Sequence, residues 1–131
     1  MQEGVPEKPL DPAAVKTAEK SLLSPRNERR MRELLDALCD ATRVKIVRAL
    51  RDTTLAAGDL AHVINRSRSA TSQHLKVLRD IGVVRPARSG NVVRYALSDE
   101  LDAQVIEHAV SAFDQMQTIK GGYGQELSAG D

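Results

Sequence analysis

Residues 59–84 read DLAHVINRSRSATSQHLKVLRDIGVV, and this stretch decides the fold. Its first part carries apolar residues at helical spacing and ends at Asn65, a residue type that tolerates the left-handed conformation at the end of a helix. Ser67 or Ser69 can cap a second helix, which Gly82 closes because a helix C-terminus favours a residue free to adopt positive φ. Two short helices that meet at a tight turn predict a helix-turn-helix.

Helical periodicity precedes this stretch, and a turn signal follows it. Asn27 is an acceptable N-cap for one of the earlier helices, and Ser89-Gly90-Asn91 lies between Val-rich segments that predict a β-hairpin. The predicted elements are helices over residues 13–24, 28–39, 41–51, 55–64 and 68–81, a hairpin over 83–97 and a helix over 99–116. This order predicts a mainly α fold with a small β-hairpin wing (α+β), a winged helix-turn-helix.

The chain has 131 residues, which is enough for one domain with a hydrophobic core and short for two. Residues 1–12 contain three prolines and few apolar side chains, so we expect a disordered N-terminal arm. Residues 13–118 are predicted to form the winged domain with its terminal helices. The glycine-rich residues 119–131 are predicted to be a flexible tail.

The net charge of +1 hides a segregation of charge along the chain. Residues 1–40 hold 7 basic and 8 acidic side chains, residues 41–97 hold 11 and 3, and residues 98–131 hold 1 and 7. The central block of +8 is typical of a surface that binds a polyanion. Within it, Arg48 and Arg51 are predicted on or beside the outer face of their helix.

Composition excludes several classes of function. Aromatic residues make up 2% of the chain, too few for a stacking platform that binds single-stranded nucleic acid. The single Cys39 excludes an intrachain disulfide framework; we interpret it as a small buried hydrophobe, with a redox reaction between subunits as the alternative. Neither a membrane span nor a signal peptide is evident, so we expect a soluble, cytoplasmic protein.

The helix over residues 68–81 has two faces of different chemistry. Thr71, Leu75 and Leu78 recur at helical spacing and are predicted to face the core. The opposite face carries short hydrogen-bonding groups and one cation, namely Ser69, Ser72, Gln73 and Lys76. Such groups match the donor and acceptor edges of the DNA major groove, so this is a candidate recognition helix.

Further candidate DNA contacts surround this helix. Arg88 and Arg94 flank Asn91 at the hairpin turn, and a basic wing tip of this kind reaches the adjacent minor groove or the backbone. A solvated turn is the alternative interpretation. The same positive surface is extended by Arg66, Arg68 and Arg79.

Residues 59–84, together with LCDATRVKIVRAL at 38–50, resemble the ArsR/SmtB family of small winged-helix repressors. The resemblance covers about residues 30–116, and its most specific motifs are Asp40-Ala41-Thr42-Arg43, Ser72-Gln73-His74-Leu75 and the hairpin from Gly90 to Leu97. It implies a transcriptional repressor of duplex DNA. It also implies a DNA or phosphate contact for His74, for which satisfaction by local hydrogen bonds is the alternative.

The sequence departs from this family at both familiar metal sites. The positions of a Cys-x-Cys pair hold Ala56 and Gly58, neither of which can supply a ligand. The positions of a second site on the last helix hold Asp99, Leu101, Ala112 and Gln115, of which one can bind zinc. We therefore predict no metal and no cofactor; a metal or redox sensor with an atypical site, drawing on His62, His74 or His108, is an alternative.

The last helix carries an apolar stripe beyond what the winged unit needs, because residues 41–97 are expected to close their own core. The stripe is predicted to form a homodimer and consists of Leu101, Val105, Ala109, Ala112, Phe113 and Met116. The first helix adds Val15, Ala18 and Leu22. In the resembled family the first and last helices pair across a two-fold axis, which implies a near-palindromic operator.

No nucleophile with a base, phosphate loop or metal-activated water site can be assembled, so the sequence gives an enzyme little support. The main alternative is a winged-helix protein-interaction module, co-regulator or antitoxin-like, that uses the same face on a protein partner. The +8 block favours DNA, because a protein partner would need a matching acidic patch. The sequence identifies no effector.

Overall fold

The structure is a computed structural model that describes residues 4, 5 and 7–118, with side chains as far as Met116. The predicted tail, residues 119–131, lies outside the described residues, as do four residues of the predicted N-terminal arm. The chain divides into two compact units, residues 1–32 and residues 33–131.

The first unit holds helix α1, Pro12–Glu19, and the beginning of α2, Pro25–Leu38. Asp11 caps α1 by accepting a hydrogen bond of 3.0 Å from the N–H of Ala14. The N-cap prediction for α2 was wrong, because the Ser24 hydroxyl accepts the N–H of Asn27 and the helix starts at Pro25. Proline suits this first helical position, where no backbone hydrogen bond is lost.

Short helices make up most of the second unit. Asp40 caps the first of them by accepting a hydrogen bond of 2.7 Å from the N–H of Thr42. The helices are α3, Ala41–Ala49; α4, Ala57–Ile64; α5, Arg68–Asp80; and α6, Leu101–Ser111. A 3₁₀ turn, Ala112–Asp114, and a one-turn helix α7, Gln115–Thr118, follow α6, so the last predicted helix is divided near its end.

The turn between α4 and α5 follows its local sequence. Asn65 has a φ of 56°, and the Ser67 hydroxyl accepts a hydrogen bond of 3.0 Å from the N–H of Ala70. Ser67 rather than Ser69 is therefore the N-cap of α5. Gly82 ends the segment with a φ of 79°, which confirms the predicted role of the glycine.

The sheet has one strand more than predicted. Strands β1, Leu55–Ala56; β2, Val84–Ser89; and β3, Val92–Leu97, pair antiparallel in the order β1-β3-β2. The predicted start of a helix at Leu55 was wrong, since Leu55 pairs with Tyr95 of β3. That partner lies 40 residues away, and local periodicity cannot reveal it.

The core is a cluster of aliphatic side chains between the helices and β2. The predicted core face of α5 is confirmed, because Thr71, Leu75 and Leu78 are all buried. Ile106 and Val110 of α6 belong to the same cluster. The expectation that residues 41–97 close their own core was therefore wrong: α6 buries one face in the winged unit and leaves another exposed.

Ion pairs attach the end of α3 and the residues after it to α6 and the 3₁₀ turn that follows α6. Arg48 lies 2.7 Å from Asp114, and Arg51 lies 3.0 Å from Asp114 and 3.2 Å from Glu107. These arginines were predicted on or beside the outer face of their helix, and acids of the −6 segment partly cover them. The hydrogen bond from Arg48, supported by Arg51, lowers the pKa of Asp114 against the opposing effect of partial burial.

We expect Asp114→Asn to lower the thermal midpoint at pH 7. The pKa of Asp114 is lower in the folded than in the unfolded chain, so this carboxylate adds stability above its unfolded pKa, and the contribution disappears as the pH falls through the folded pKa. The difference from the unaltered chain should therefore narrow below about pH 4. Calorimetry from pH 7 to pH 3 measures it.

Asp99→Asn is the matched control for this prediction. Asp99 lies on the surface, and its carboxylate is 3.9 Å from Arg85, at the edge of an ion-pair distance. We expect this variant to melt like the unaltered chain at both pH values, because exposed ion pairs contribute little. A midpoint for Asp114→Asn equal to that of the control at pH 7 would contradict a stabilising role for the α3–α6 ion pairs.

Candidate nucleic-acid interface

The outer face of α5 carries the predicted base-reading groups. Because Thr71, Leu75 and Leu78 bury one face of the helix, the positions between them point away from the core. The exposed side chains on this face are those predicted, Ser69, Ser72, Gln73 and Lys76. Lys76 is engaged in an ion pair of 3.0 Å with Asp80, one turn further along the helix.

His74 lies at the border of this face and is half-buried. It is close enough to Asp40, the N-cap of α3, to act on it electrostatically. The hydrogen bond from Thr42 is the main cause that lowers the pKa of Asp40; the charges of His74 and Arg43 lower it further, while partial burial opposes them. His74 therefore lies at the edge of the exposed face of α5, within electrostatic range of the N-cap of α3.

The wing consists of β2, β3 and the turn at Gly90, which has a φ of 64°. Asn91 and both predicted arginines are exposed. The strand register pairs Arg88 with Val93 and Arg94 with Ala87. Because paired residues share a face and neighbours along a strand alternate, the two arginines lie on opposite faces of the hairpin. The two arginines were predicted to form one basic wing tip, but they belong to two different surfaces of the hairpin.

Five arginines around α5 and the wing differ in their partners from Arg48 of α3 and from Arg51, which follows that helix. In the described part of the chain, none of the five forms an ion pair with a carboxylate. Carboxylates neutralise Arg48 and Arg51, whereas these five arginines keep their positive charge unpaired. The five are Arg66, Arg68, Arg79, Arg88 and Arg94.

A cavity of about 350 Å³ lies between α5 and the wing, and we call it the wing cleft. It is lined by Arg79, Pro86, Arg88, Val93 and Tyr95. A neighbouring cavity of about 240 Å³ shares Arg79 and Tyr95 and continues to Ser72, Leu75 and Lys76. Sequence reasoning missed Tyr95 as a site residue, although its two-residue spacing from Val93 already placed both on one face of a strand.

The outer stripe of α6, which continues through the 3₁₀ turn to Met116 of α7, is exposed, opposite the buried Ile106 and Val110. Leu101 is 73% exposed and Phe113 60%, large values for apolar side chains. The other predicted stripe residues, Val105, Ala109, Ala112 and Met116, are exposed as well. In the first unit, Val15, Ala18 and Leu22 are exposed too, although Leu22 lies beyond the end of α1.

The positions of the familiar metal sites lie in several separate elements of the fold. Ala56 lies in β1 and Gly58 in α4, and among the residues that the structure describes no group of three or more His, Cys, Asp or Glu side chains could hold a metal ion. Cys39 is exposed, so its interpretation as a buried hydrophobe was wrong. It follows the last residue of α2, past the buried Leu34 and Ala37.

No helix in the described part of the chain is both long enough and apolar enough to cross a membrane.

Comparison with known proteins agrees with this architecture. The family described as bacterial regulatory protein, arsR family, matches residues 40–85. The cadmium resistance transcriptional regulatory protein CadC homolog of Staphylococcus aureus is 34% identical over 88 residues, which cover 66% of this chain and 73% of that protein.

Solved structures similar to this chain include the following two. HlyU from Vibrio cholerae has a TM-score of 0.62 at 29% identity, and the match covers 69% of this chain and 97% of the HlyU chain. The transcriptional repressor BigR from Xylella fastidiosa has a TM-score of 0.63 at 26% identity, and the match covers 70% of this chain and 90% of the BigR chain. With a relative 34% identical over most of its length and a family match centred on the helix-turn-helix, this chain belongs to the arsR family of bacterial regulatory proteins.

Proposed function

We propose that this chain is a sequence-specific repressor that binds duplex DNA as a homodimer. The observation that carries the proposal is the set of five exposed arginines without carboxylate partners among the described residues, grouped around α5 and the wing. Unneutralised cations on one surface are what a protein needs to release counterions from a phosphate backbone. A regulator of chromosomal DNA acts in the cytoplasm, and the proposal places the chain there.

The helix α5 would lie in the major groove. Gln73 offers an amide that can pair with two atoms of an adenine edge, and the hydroxyls of Ser69 and Ser72 can serve either base. The arginines would contact phosphates, which fix the register without reading sequence. The proposed DNA-contacting residues are Arg66, Arg68, Ser69, Ser72, Gln73, His74, Lys76, Arg79, Arg88, Asn91 and Arg94.

The exposed stripe of α6 supports dimerisation. A contiguous apolar face that does not contribute to the core is costly in water, and a second copy of the same face would cover it. Ala109 and Ala112 are small enough to let two helices approach closely. A two-fold axis would set two recognition helices about 34 Å apart, one turn of duplex, and would favour a near-palindromic operator.

A mobility-shift titration at two salt concentrations tests the proposed function. The probe is a duplex that the unaltered chain selects from a random-sequence pool. We expect affinity to fall steeply between 50 and 200 mM salt, by roughly a thousandfold or more if six phosphates per dimer are contacted. If no duplex is enriched, and if random duplex binds no more tightly at low salt, the chain acts on another partner, such as a protein.

We expect zinc, cadmium and arsenite to leave DNA affinity within tenfold of its metal-free value. The relative from Staphylococcus aureus is named for cadmium resistance, but here Ala56 and Gly58 occupy the positions of the thiolate pair. Without ligands in place, metal has no differential affinity for free and DNA-bound states and cannot shift binding. The titration is repeated with each metal and with a chelator; a larger effect, more than about 1.4 kcal/mol of coupling, would reveal an atypical site.

A further inference from the structure

The wing cleft brings together charged groups from two separate elements. Arg79 comes from the last turn of α5, and Arg88 comes from the end of β2. The register of the hairpin explains why they meet: Pro86 pairs with Tyr95 and Arg88 with Val93, so these four residues share one face. That face covers the core at Val84 and continues outward as the wall of the cleft.

The groups in the cleft are free to bind a ligand. Neither Arg79 nor Arg88 forms an ion pair with a carboxylate within the described residues. The Tyr95 ring packs against the core, yet its hydroxyl makes no hydrogen bond in the part of the chain that is described. Two guanidinium groups and a phenol donor on the walls of one concavity suit an oxyanion, because guanidinium forks bind phosphate oxygens in pairs.

We propose that the wing cleft binds one phosphate group, and that in the complex with DNA this group is a backbone phosphate. The inference rests on the proposed function and deepens it. A helix-turn-helix places its recognition helix in the major groove, while a wing reaches the adjacent minor groove. The strand backbone that separates these two grooves must pass between the two elements, where the cleft lies. Tyr95 is thereby assigned a DNA contact.

Phosphate neutralisation tests the inference with the full chain. In the duplex selected by the unaltered chain, single phosphates are replaced in turn by uncharged methylphosphonate. We expect one position in each half-site to lower the affinity of the unaltered chain by roughly tenfold. Arg88→Gln should bind the unmodified duplex with a similar loss, lose no more affinity at that position, and show a salt slope smaller by about 0.9 per subunit.

Arg94→Gln is the matched control, because it removes an equal charge from the opposite face of the hairpin. It should remain sensitive to methylphosphonate at the position where Arg88→Gln is insensitive. Tyr95→Phe removes one hydroxyl and keeps the ring that packs on the core. It should weaken binding by roughly three- to tenfold with an unchanged salt slope and thermal midpoint.

A competition arm separates the two sources of phosphate. Sodium phosphate is titrated against the protein–DNA complex at constant ionic strength. We expect sodium phosphate to lower the DNA affinity of the unaltered chain by less than methylphosphonate does. We expect it to leave the DNA affinity of Arg88→Gln unchanged. Strong competition without any methylphosphonate-sensitive position would assign the cleft to free phosphate and overturn its assignment to the backbone.

The possible failures are distinguishable. If the unaltered chain binds duplex DNA but Arg88→Gln keeps the wild-type sensitivity at every backbone position, the cleft does not hold a phosphate and the inference is overturned alone. If the unaltered chain binds no duplex, both the proposed function and the inference that rests on it are wrong.

Discussion

Ala112→Glu combined with Phe113→Glu is expected to convert the protein into monomers and to weaken operator binding by about a hundredfold or more. Both residues lie in the 3₁₀ turn that continues the exposed stripe of α6, and Phe113 is 60% exposed. In a dimer each new carboxylate would be buried against its counterpart without a cation. Each monomer would hold one half-site, and the gain from binding two half-sites at once would be lost. Sedimentation and a binding titration measure the two effects.

Phe113→Leu is the control for this double variant, since it retains an apolar side chain at the same position. It should remain dimeric and bind the operator nearly as tightly as the unaltered chain. The double variant should also keep its helical circular dichroism, because the buried face of α6 is carried by Ala103, Ile106 and Val110. The dimer model would be wrong if the unaltered chain sedimented as a monomer at micromolar concentration and still bound its operator tightly.

Local sequence signals predicted the helix-turn-helix well. Asn65 and Gly82 adopt positive φ as their residue types and positions indicated, and the buried face of α5 follows directly from helical spacing. These features depend on interactions within a few residues along the chain. The sequence left the choice between Ser67 and Ser69 as the N-cap open, because both residues carry a suitable hydroxyl. The backbone conformation makes the choice, and it brings the Ser67 hydroxyl to the N–H of Ala70.

Features that depend on distant partners could not be predicted in this way. The strand at Leu55 exists because β3 lies alongside it, and the partners of Arg48 and Arg51 lie about 60 residues further along the chain. The wing cleft depends on the hairpin register, which decides that Arg88 and not Arg94 faces α5. A shift of one residue in that register would place the two arginines on the same face of the hairpin.

The tertiary ion pairs also sharpen the charge pattern seen in the sequence. The +8 segment and the −6 segment neutralise each other in part where α3 meets the end of α6. Five arginines of the +8 segment that form no ion pair with a carboxylate in the described part of the chain lie around α5 and the wing, namely Arg66, Arg68, Arg79, Arg88 and Arg94. A field concentrated on one surface steers a polyanion to that surface and orients it during encounter. The fold therefore converts a segregation along the chain into a more localised basic patch.

Gln73→Ala is expected to weaken binding to the selected duplex by about 1–3 kcal/mol, roughly 5- to 150-fold, and to leave binding to random duplex nearly unchanged. Gln73 is exposed on α5 beside Ser72, where an amide can read a base edge but cannot neutralise a phosphate. Arg94→Ala serves as the control, because loss of a cation should weaken both duplexes alike. Titrations of both variants on both duplexes at fixed salt measure the difference, and an equal loss on the two duplexes for Gln73→Ala would exclude base reading by this residue.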